Sequence, residues 1–370
     1  MRKFLYLVIG SIMTVSCGKF GNHFLLDVTE VDYLDRSEFE MEGKDTGIEV
    51  IGIDDIMYCD SVLVALTQDS EELFKVYNMK TCTEVAGFGY LGRAKNEFNA
   101  PQFLSSIQYK RNGSTIIPIV DNENLIVEMD FTKSVRQGTV VLDRSEMFRI
   151  DGISEGSMSI VDDDISKMFF ASRVTQDYVL KKWNVPTFSI ISKGKTQRIP
   201  VYSKVKKTKE ENYIVAMYSG LLYKHPSKNL YAYPLESRDY ILFFDLDNDS
   251  RFAIHQQGAT TFDDKYPKYD YEYGRMTFVN SLPTNDFIIT NYCGGSFYKD
   301  GVADGHYYTE FVLFDWEGNY LCGIKIKLNI CRCAYDEVNK ILYGVDLVTE
   351  KLYAFDFKPI VEYINDKRAL

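Results

Sequence analysis

The stretch FVLFDWEGNYL, Phe311–Leu321, has the form apolar, any, apolar, aromatic, Asp, and then runs into Glu317, Gly318 and Asn319. A short period-two apolar run that meets an Asp and turn formers is a strand entering a hairpin turn. The form recurs. LFKVYNMKT places Tyr77-Asn78 in the same role, LIVEMDFTK places Met129-Asp130, YVLKKWNVP places Trp183-Asn184, YILFFDLDND places Phe244-Asp245, and KLYAFDFKP places Phe355-Asp356. The six Asx positions are separated by 52, 54, 61, 70 and 41 residues, centred on the length of one four-stranded blade.

Each copy is preceded by a second apolar run that supplies a partner strand: Val62–Leu66, Thr115–Val120, Met168–Ser172, Leu230–Pro234, Asp286–Thr290 and Ile341–Val345. A hairpin cannot bury both of its faces alone, so stacking around an axis is the economical arrangement. The expected fold is all-β: a six-bladed β-propeller of four-stranded antiparallel blades over 44–358. The sixth hairpin ends near Phe357 and lacks an outer strand. The segment around Phe24–Glu42, within 17–43, is expected to provide it and close the ring. Residues 359–370 form a short tail, a helical turn or frayed end. The Asx residues are read as structural, because their side-chain oxygens can accept a backbone N–H two residues on.

Residues 1–16 combine Arg2 and Lys3 with the apolar run Phe4–Met13, which is too short to span a bilayer. They read as a signal peptide. Cys17 after Ser16 resembles the lipobox of bacterial lipoproteins, although Thr14 stands where Leu is commonest. That resemblance implies lipidation at Cys17, a membrane anchor of several acyl chains, and, since Gly18 is not Asp, an outer-membrane address. Without Arg2 and Lys3, 40 basic residues face 53 acidic ones, a formal charge of −13. That balance argues against nucleic acid as a partner.

One blade carries more than the hairpin. Between Gly87 and Phe131, the residues Gly89, Gly92, Glu97-Phe98, Pro101, Asp121, Asn124 and Asp130 follow the pattern of an NHL-type propeller repeat. With the leader, roughly residues 40–360 resemble the TolB-like six-bladed propeller lipoproteins. The resemblance implies a fold; its motifs are structural and carry little function.

No catalytic pattern stands out. His23, His225, His255 and His306 are scattered without metal-ligand spacing, and no Gly loop shaped for phosphate appears, so neither metal nor cofactor is expected. Asp245–Ser250 imitates the start of a calcium loop but lacks its later Gly and Glu, and reads as a hairpin turn. Asp162–Asp164 reads as a solvated acidic loop. Cys331 and Cys333 are expected on one face of an alternating strand, and the six cysteines after Cys17 are expected as buried free thiols.

The most unusual stretch is Thr261–Met276, where Tyr266, Tyr269, Tyr271 and Tyr273 are interleaved with Lys265, Lys268, Asp270 and Arg275. Rings with polar tips on a loop suit protein or glycan partners, as they also suit covering the end of a blade. The Gly-rich Asn291–Tyr308 is a second long loop. The leading expectation is a ligand- or partner-binding module, with Tyr266, Tyr269, Tyr271, Tyr273 and Arg275 as contacts. The alternatives are a glycan lyase or hydrolase assembled at the central channel, and a structural component of an envelope complex.

Overall fold

The computed structural model describes residues 24–33, 36–69, 72–94, 96–104, 107–121, 125–147, 156–172, 175–177, 182–184, 187–202, 218–259, 277–293, 298–299, 302–303 and 309–369. The N-terminal strands are β1 (Asp27–Val31), β2 (Ser37–Met41) and β3 (Lys44–Glu49). Blade 1 is β4 (Ile53–Cys59), β5 (Val62–Thr67), β6 (Phe74–Asn78) and β7 (Thr83–Phe88). Blade 2 is β8 (Pro101–Phe103) and β9 (Tyr109–Arg111) side by side on β10 (Ser114–Asp121), then β11 (Leu125–Asp130), helix α1 (Phe131–Gln137) and β12 (Leu142–Met147).

Blade 3 is β13 (Gly156–Val161), β14 (Asp164–Ser172), β17 (Phe188–Ser192) and β18 (Lys195–Ile199), with β15 (Thr175–Asp177) and β16 (Lys182–Asn184) as a separate hairpin. Blade 4 is β19 (Tyr223–Lys224), β20 (Leu230–Pro234), β21 (Tyr240–Asp245) and β22 (Ser250–Gln256). Blade 5 is β23 (Phe278–Pro283), β24 (Ile288–Tyr292), β27 (Thr309–Phe314) and β28 (Tyr320–Ile326), with β25 (Tyr298–Lys299) and β26 (Val302–Ala303) as a small hairpin. Blade 6 is β29 (Ile330–Asp336), β30 (Ile341–Asp346) and β31 (Lys351–Asp356), followed by helix α2 (Lys358–Arg368).

The protein is a six-bladed β-propeller. Among the described residues the buried apolar side chains fall into six clusters, one in each seam between neighbouring blades. Phe74, Phe98 and Ile119 fill the seam of blades 1 and 2, for example, and Tyr33, Phe243 and Phe314 that of blades 4 and 5. Five of the six expected Asx residues do what their chemistry allows. Asn78, Asp245, Asp315 and Asp356 accept the N–H two residues on at 2.9, 3.0, 3.1 and 3.1 Å, and Asp130 caps α1 by accepting Lys133 N–H at 2.9 Å. In blade 2, Glu97 accepts Ala94 N–H, Asp121 accepts Asn99 and Ala100 N–H, and Phe98 is buried, so these motif residues shape the link from blade 1 to blade 2.

The third copy differs from expectation. β14 pairs with β17, not with the strand around Trp183, and the turn after β17 is Lys193-Gly194, both at positive φ. Phe188 decides this, being fully buried against Phe169, Tyr233 and Phe244. The closing strand also lies further along the chain than expected. β3, at Lys44–Glu49, pairs antiparallel with β31 and completes blade 6. The two strands before it instead strap the rim: β1 lies parallel on β22 and β2 parallel on β28, giving blades 4 and 5 a fifth strand each. β3 thus takes the place in blade 6 that β22 and β28 hold in blades 4 and 5, antiparallel to the third strand.

Gly323 makes room for the strap, since a Cβ there would stand 2.1 Å from the Arg36 carbonyl oxygen. The C-terminal segment is a full helix. Pro359 sits in its first turn, Ile360 and Ile364 are buried against blades 5 and 6, and Lys367 Nζ donates to Leu321 O at 2.9 Å.

The strands alternate in direction, so every inner strand (β4, β8, β13, β19, β23, β29) starts at the same face. This entry face also carries the links between blades and between second and third strands. The opposite face carries the Asx turns.

Ring closure and strapping are separable by deletion. Removing residues 24–43 takes away the burial of side chains such as Leu26, Tyr33 and Phe39, each worth about 2 kcal/mol, but leaves β3. A lower yet still cooperative thermal transition is expected. Removing 24–49 opens blade 6, and loss of the cooperative transition in circular dichroism is expected. Gly323→Ala should lower the melting temperature of the full chain and leave that of the 24–43 deletion unchanged.

Candidate functional site at the channel mouth

Three consecutive inner strands carry the same irregularity at the same height. In β4, Ile53 and Asp55 oppose Thr67 and Leu66; in β23, Phe278 and Asn280 oppose Tyr292 and Asn291; in β29, Ile330 and Arg332 oppose Asp346 and Val345. Each strand has one extra residue, a β-bulge near the entry face. A bulge breaks the period-two alternation and re-aims the side chains around it.

The consequence is plain at the cysteines. Cys331 packs into the seam of blades 6 and 1 and Cys333 into that of blades 5 and 6, so the pair does not share one face as alternation predicts. None of the six cysteines after Cys17 is in a disulfide.

The bulges link polar groups from blade to blade around the channel. Tyr223 of blade 4 donates its hydroxyl to Asn280 Oδ1 at 3.1 Å. Asn280 Nδ2 donates to Cys331 O of blade 6 at 3.2 Å, and Arg332 Nη1 donates to the same carbonyl at 3.0 Å. Arg332 Nε then reaches across the last seam to Asp54 O of blade 1. Beside Tyr223 and Asn280 lies a small cleft, with Leu221, Glu236, Phe278 and Ser281 among its walls.

The belt ends at Asp55. Its carboxylate accepts Ile56 N–H at 2.9 Å and is near Arg332, but among the described residues no ion pair joins the two. Loss of hydration inside the channel pushes the Asp55 carboxyl up to about 6 from 3.8, against the opposing pull of Arg332 and the Ile56 N–H. The Tyr223 hydroxyl is pushed up as well, first by burial, and Asp55 and Glu236 add to the effect.

The residues singled out from sequence divide sharply. Cys17, Tyr266, Tyr269, Tyr271, Tyr273 and Arg275 lie outside the described residues, as do His23 and His306. The strand ends that bracket the tyrosine segment, at Gln256 and Phe278, are on the entry face, as are those bracketing the Gly-rich one at Tyr292 and Thr309.

His225 is structural: its Nδ1 accepts Ser227 N–H, its Nε2 donates to Asn285 O, and burial lowers its pKa to about 4. His255 is buried and stacked on Tyr240 at 4.1 Å. Asp245–Ser250 and Asp162–Asp164 are hairpin turns, the latter carrying Asp162 and Asp163 at positive φ. Among the described residues no group of three or more His, Cys, Asp or Glu side chains could hold a metal. Sequence reading missed Asp55, Tyr223, Asn280 and Arg332, which no local pattern marks.

Fold and site together define a propeller with a polar belt at one channel mouth. No family model and no curated protein matches the chain. Solved structures do. A member of the DUF4221 family from Bacteroides vulgatus is 9% identical with a TM-score of 0.50, over 90% of this chain and 97% of that one. Regucalcin, a calcium-binding protein from Agrobacterium tumefaciens, is 9% identical with a TM-score of 0.44, over 89% and 95%. A luciferin-regenerating enzyme is 9% identical with a TM-score of 0.43, over 83% and 91%. The likeness to the first shows the propeller fold.

The raised Asp55 pKa makes stability depend on pH. The folded chain holds this proton more tightly than the unfolded one, so the contribution is full below pH 3.8 and is lost as pH rises through about 6. Asp55→Asn should therefore stabilise the protein at pH 7 relative to wild type and give no such gain at pH 3.5. Urea midpoints at the two pH values check this.

Proposed function

We propose that this protein is an envelope lipoprotein, anchored to the outer membrane through Cys17, whose propeller binds a ligand or partner at the channel mouth of the entry face. The observation that carries the reading is the polar belt. Tyr223, Asn280, Arg332 and Asp55 arrive singly from four blades, and three of them are placed by the same bulge. Singly placed donors and acceptors in a concave mouth suit recognition, which needs orientation and complementarity more than a reacting constellation. The leader and the lipobox-like Ser16-Cys17 support the address. The resemblance to TolB-like propeller lipoproteins supports the same reading, and Tyr266, Tyr269, Tyr271, Tyr273 and Arg275 are proposed as further contacts.

Detergent-solubilised full-length protein, immobilised and offered envelope extract and a glycan panel, should capture a ligand. Arg332→Ala and Asp55→Asn should each weaken capture about tenfold or more, as removal of a central charged contact does. Unchanged capture by both variants would exclude the belt as the contact. Turnover of a glycan that Asp55→Asn abolishes would instead favour the enzymatic alternative.

A further inference from the structure

The described residues expose large apolar side chains unevenly. Of nine such residues, Ile51, Tyr90, Leu91, Leu221, Leu347 and Val348 are all on entry-face links. Three of them gather at the seam of blades 6 and 1: Ile51 is 70% exposed, Leu347 58% and Val348 74%. Leu347 and Val348 begin a tight turn where polar turn formers are the usual choice.

That turn is held firmly. Asp346 accepts Asn329 N–H and Thr349 N–H, both at 3.0 Å, and Thr349 Oγ1 at 2.8 Å, while Leu347 N donates to Asn329 O at 2.7 Å. It is also tied to the segment carrying Ile51. Val50 N donates to Glu350 O at 2.8 Å and Gly52 N to Glu350 Oε1 at 3.2 Å, with Glu350 itself at a positive φ of 54°. Three aliphatic side chains are thus presented to solvent on a braced frame, which lowers the ordering cost of binding.

The patch adjoins the charged end of the polar belt. Gln68 connects the two, its N donating to Gly52 O at 2.9 Å and its Nε2 to Asp54 Oδ1 at 3.0 Å, and Asp54 O is the carbonyl that Arg332 holds.

We propose that this seam docks an extended segment of a partner protein, its aliphatic side chains covering Ile51, Leu347 and Val348 and its main chain meeting Arg332 and Asp55. The proposal rests on the binding role proposed for this face and names the class of partner. Two features select a polypeptide. The exposed groups are aliphatic, which suits apolar side chains, whereas a sugar ring stacks on aromatic faces. The adjoining Arg332 donor and Asp55 acceptor carry opposite charges without an ion pair between them, a fit for the neighbouring C=O and N–H of a peptide unit.

The test is selection of random 12-residue peptides displayed on phage against immobilised, detergent-solubilised full-length protein. Peptides rich in Leu, Ile, Val and Phe should be enriched. Their binding should fall at least about tenfold on the triple variant Ile51→Asp, Leu347→Asp, Val348→Asp. These positions are exposed, so the variant's melting temperature should match wild type. No enrichment over an uncoated support, or equal binding to the triple variant, would overturn the proposal.

Peptides that bind the triple variant fully but are lost with Arg332→Ala would sink this docking site while leaving the belt's binding role standing. Flotation with phosphatidylethanolamine and phosphatidylglycerol vesicles, lost in the triple variant with no peptide enriched, would assign the patch to the membrane and overturn the proposal too.

Discussion

Everything in this molecule depends on one seam being closed by backbone hydrogen bonds. A row of sheets has two open ends, each a line of unpaired N–H and C=O groups, and only joining the ends removes them. Here β3 supplies the missing strand of blade 6, so the chain enters and leaves the ring in the same sheet. The strands ahead of it extend the principle. β1 and β2 lie on the rims of blades 4 and 5, so β1, β2 and β3 together hold the edges of three consecutive blades. Phe24 adds a bridge to Tyr202 in the link after blade 3. From Cys17 to Phe24 the chain can span at most about 25 Å, so the anchor proposed at Cys17 would keep the rim of the disc close to the bilayer.

The two faces of the disc are under different constraints. On one, the turn after the third strand is short in blades 1, 3, 4 and 5, and an Asx accepting a nearby N–H serves again and again. Repetition follows from a repeated local problem. On the entry face the links vary in length and composition, and six of the nine exposed large apolar residues described, together with the channel belt, are found there. Where no common local solution is imposed, residues are free to serve recognition.

This asymmetry also explains what could be read in the sequence. The hairpins were legible because a strand of period two and an Asx turn each leave a mark in consecutive residues. The third copy was misplaced because its turn is Lys193-Gly194, a different solution with no Asx. The closing strand was placed a few residues early, since Lys44–Glu49 is polar at its start and shows no apolar run. The belt was invisible for another reason. A bulge is one extra residue, without a residue type of its own, and Tyr223, Asn280, Arg332 and Asp55 come from strands separated by up to about 280 positions. Alternation read without bulges put Cys331 and Cys333 together; one extra residue sends them into different seams.

The belt ends where the repeat fails, and that is why its last member stands apart. Asn280 and Arg332 each have a bulged inner strand ahead of them, and each commits a donor to a carbonyl in that strand, holding a seam as well as facing the channel. Asp55 has no such strand ahead. The inner edge of blade 2 is split into β8 and β9. Among the described residues, the only hydrogen bond to the Asp55 carboxylate comes from the neighbouring Ile56 N–H, and the channel strips it of enough water to raise its pKa. A carboxylate kept there at a cost in stability, beside an arginine it does not pair with, adds nothing to what holds the ring together and is the kind of group the proposed binding role would retain.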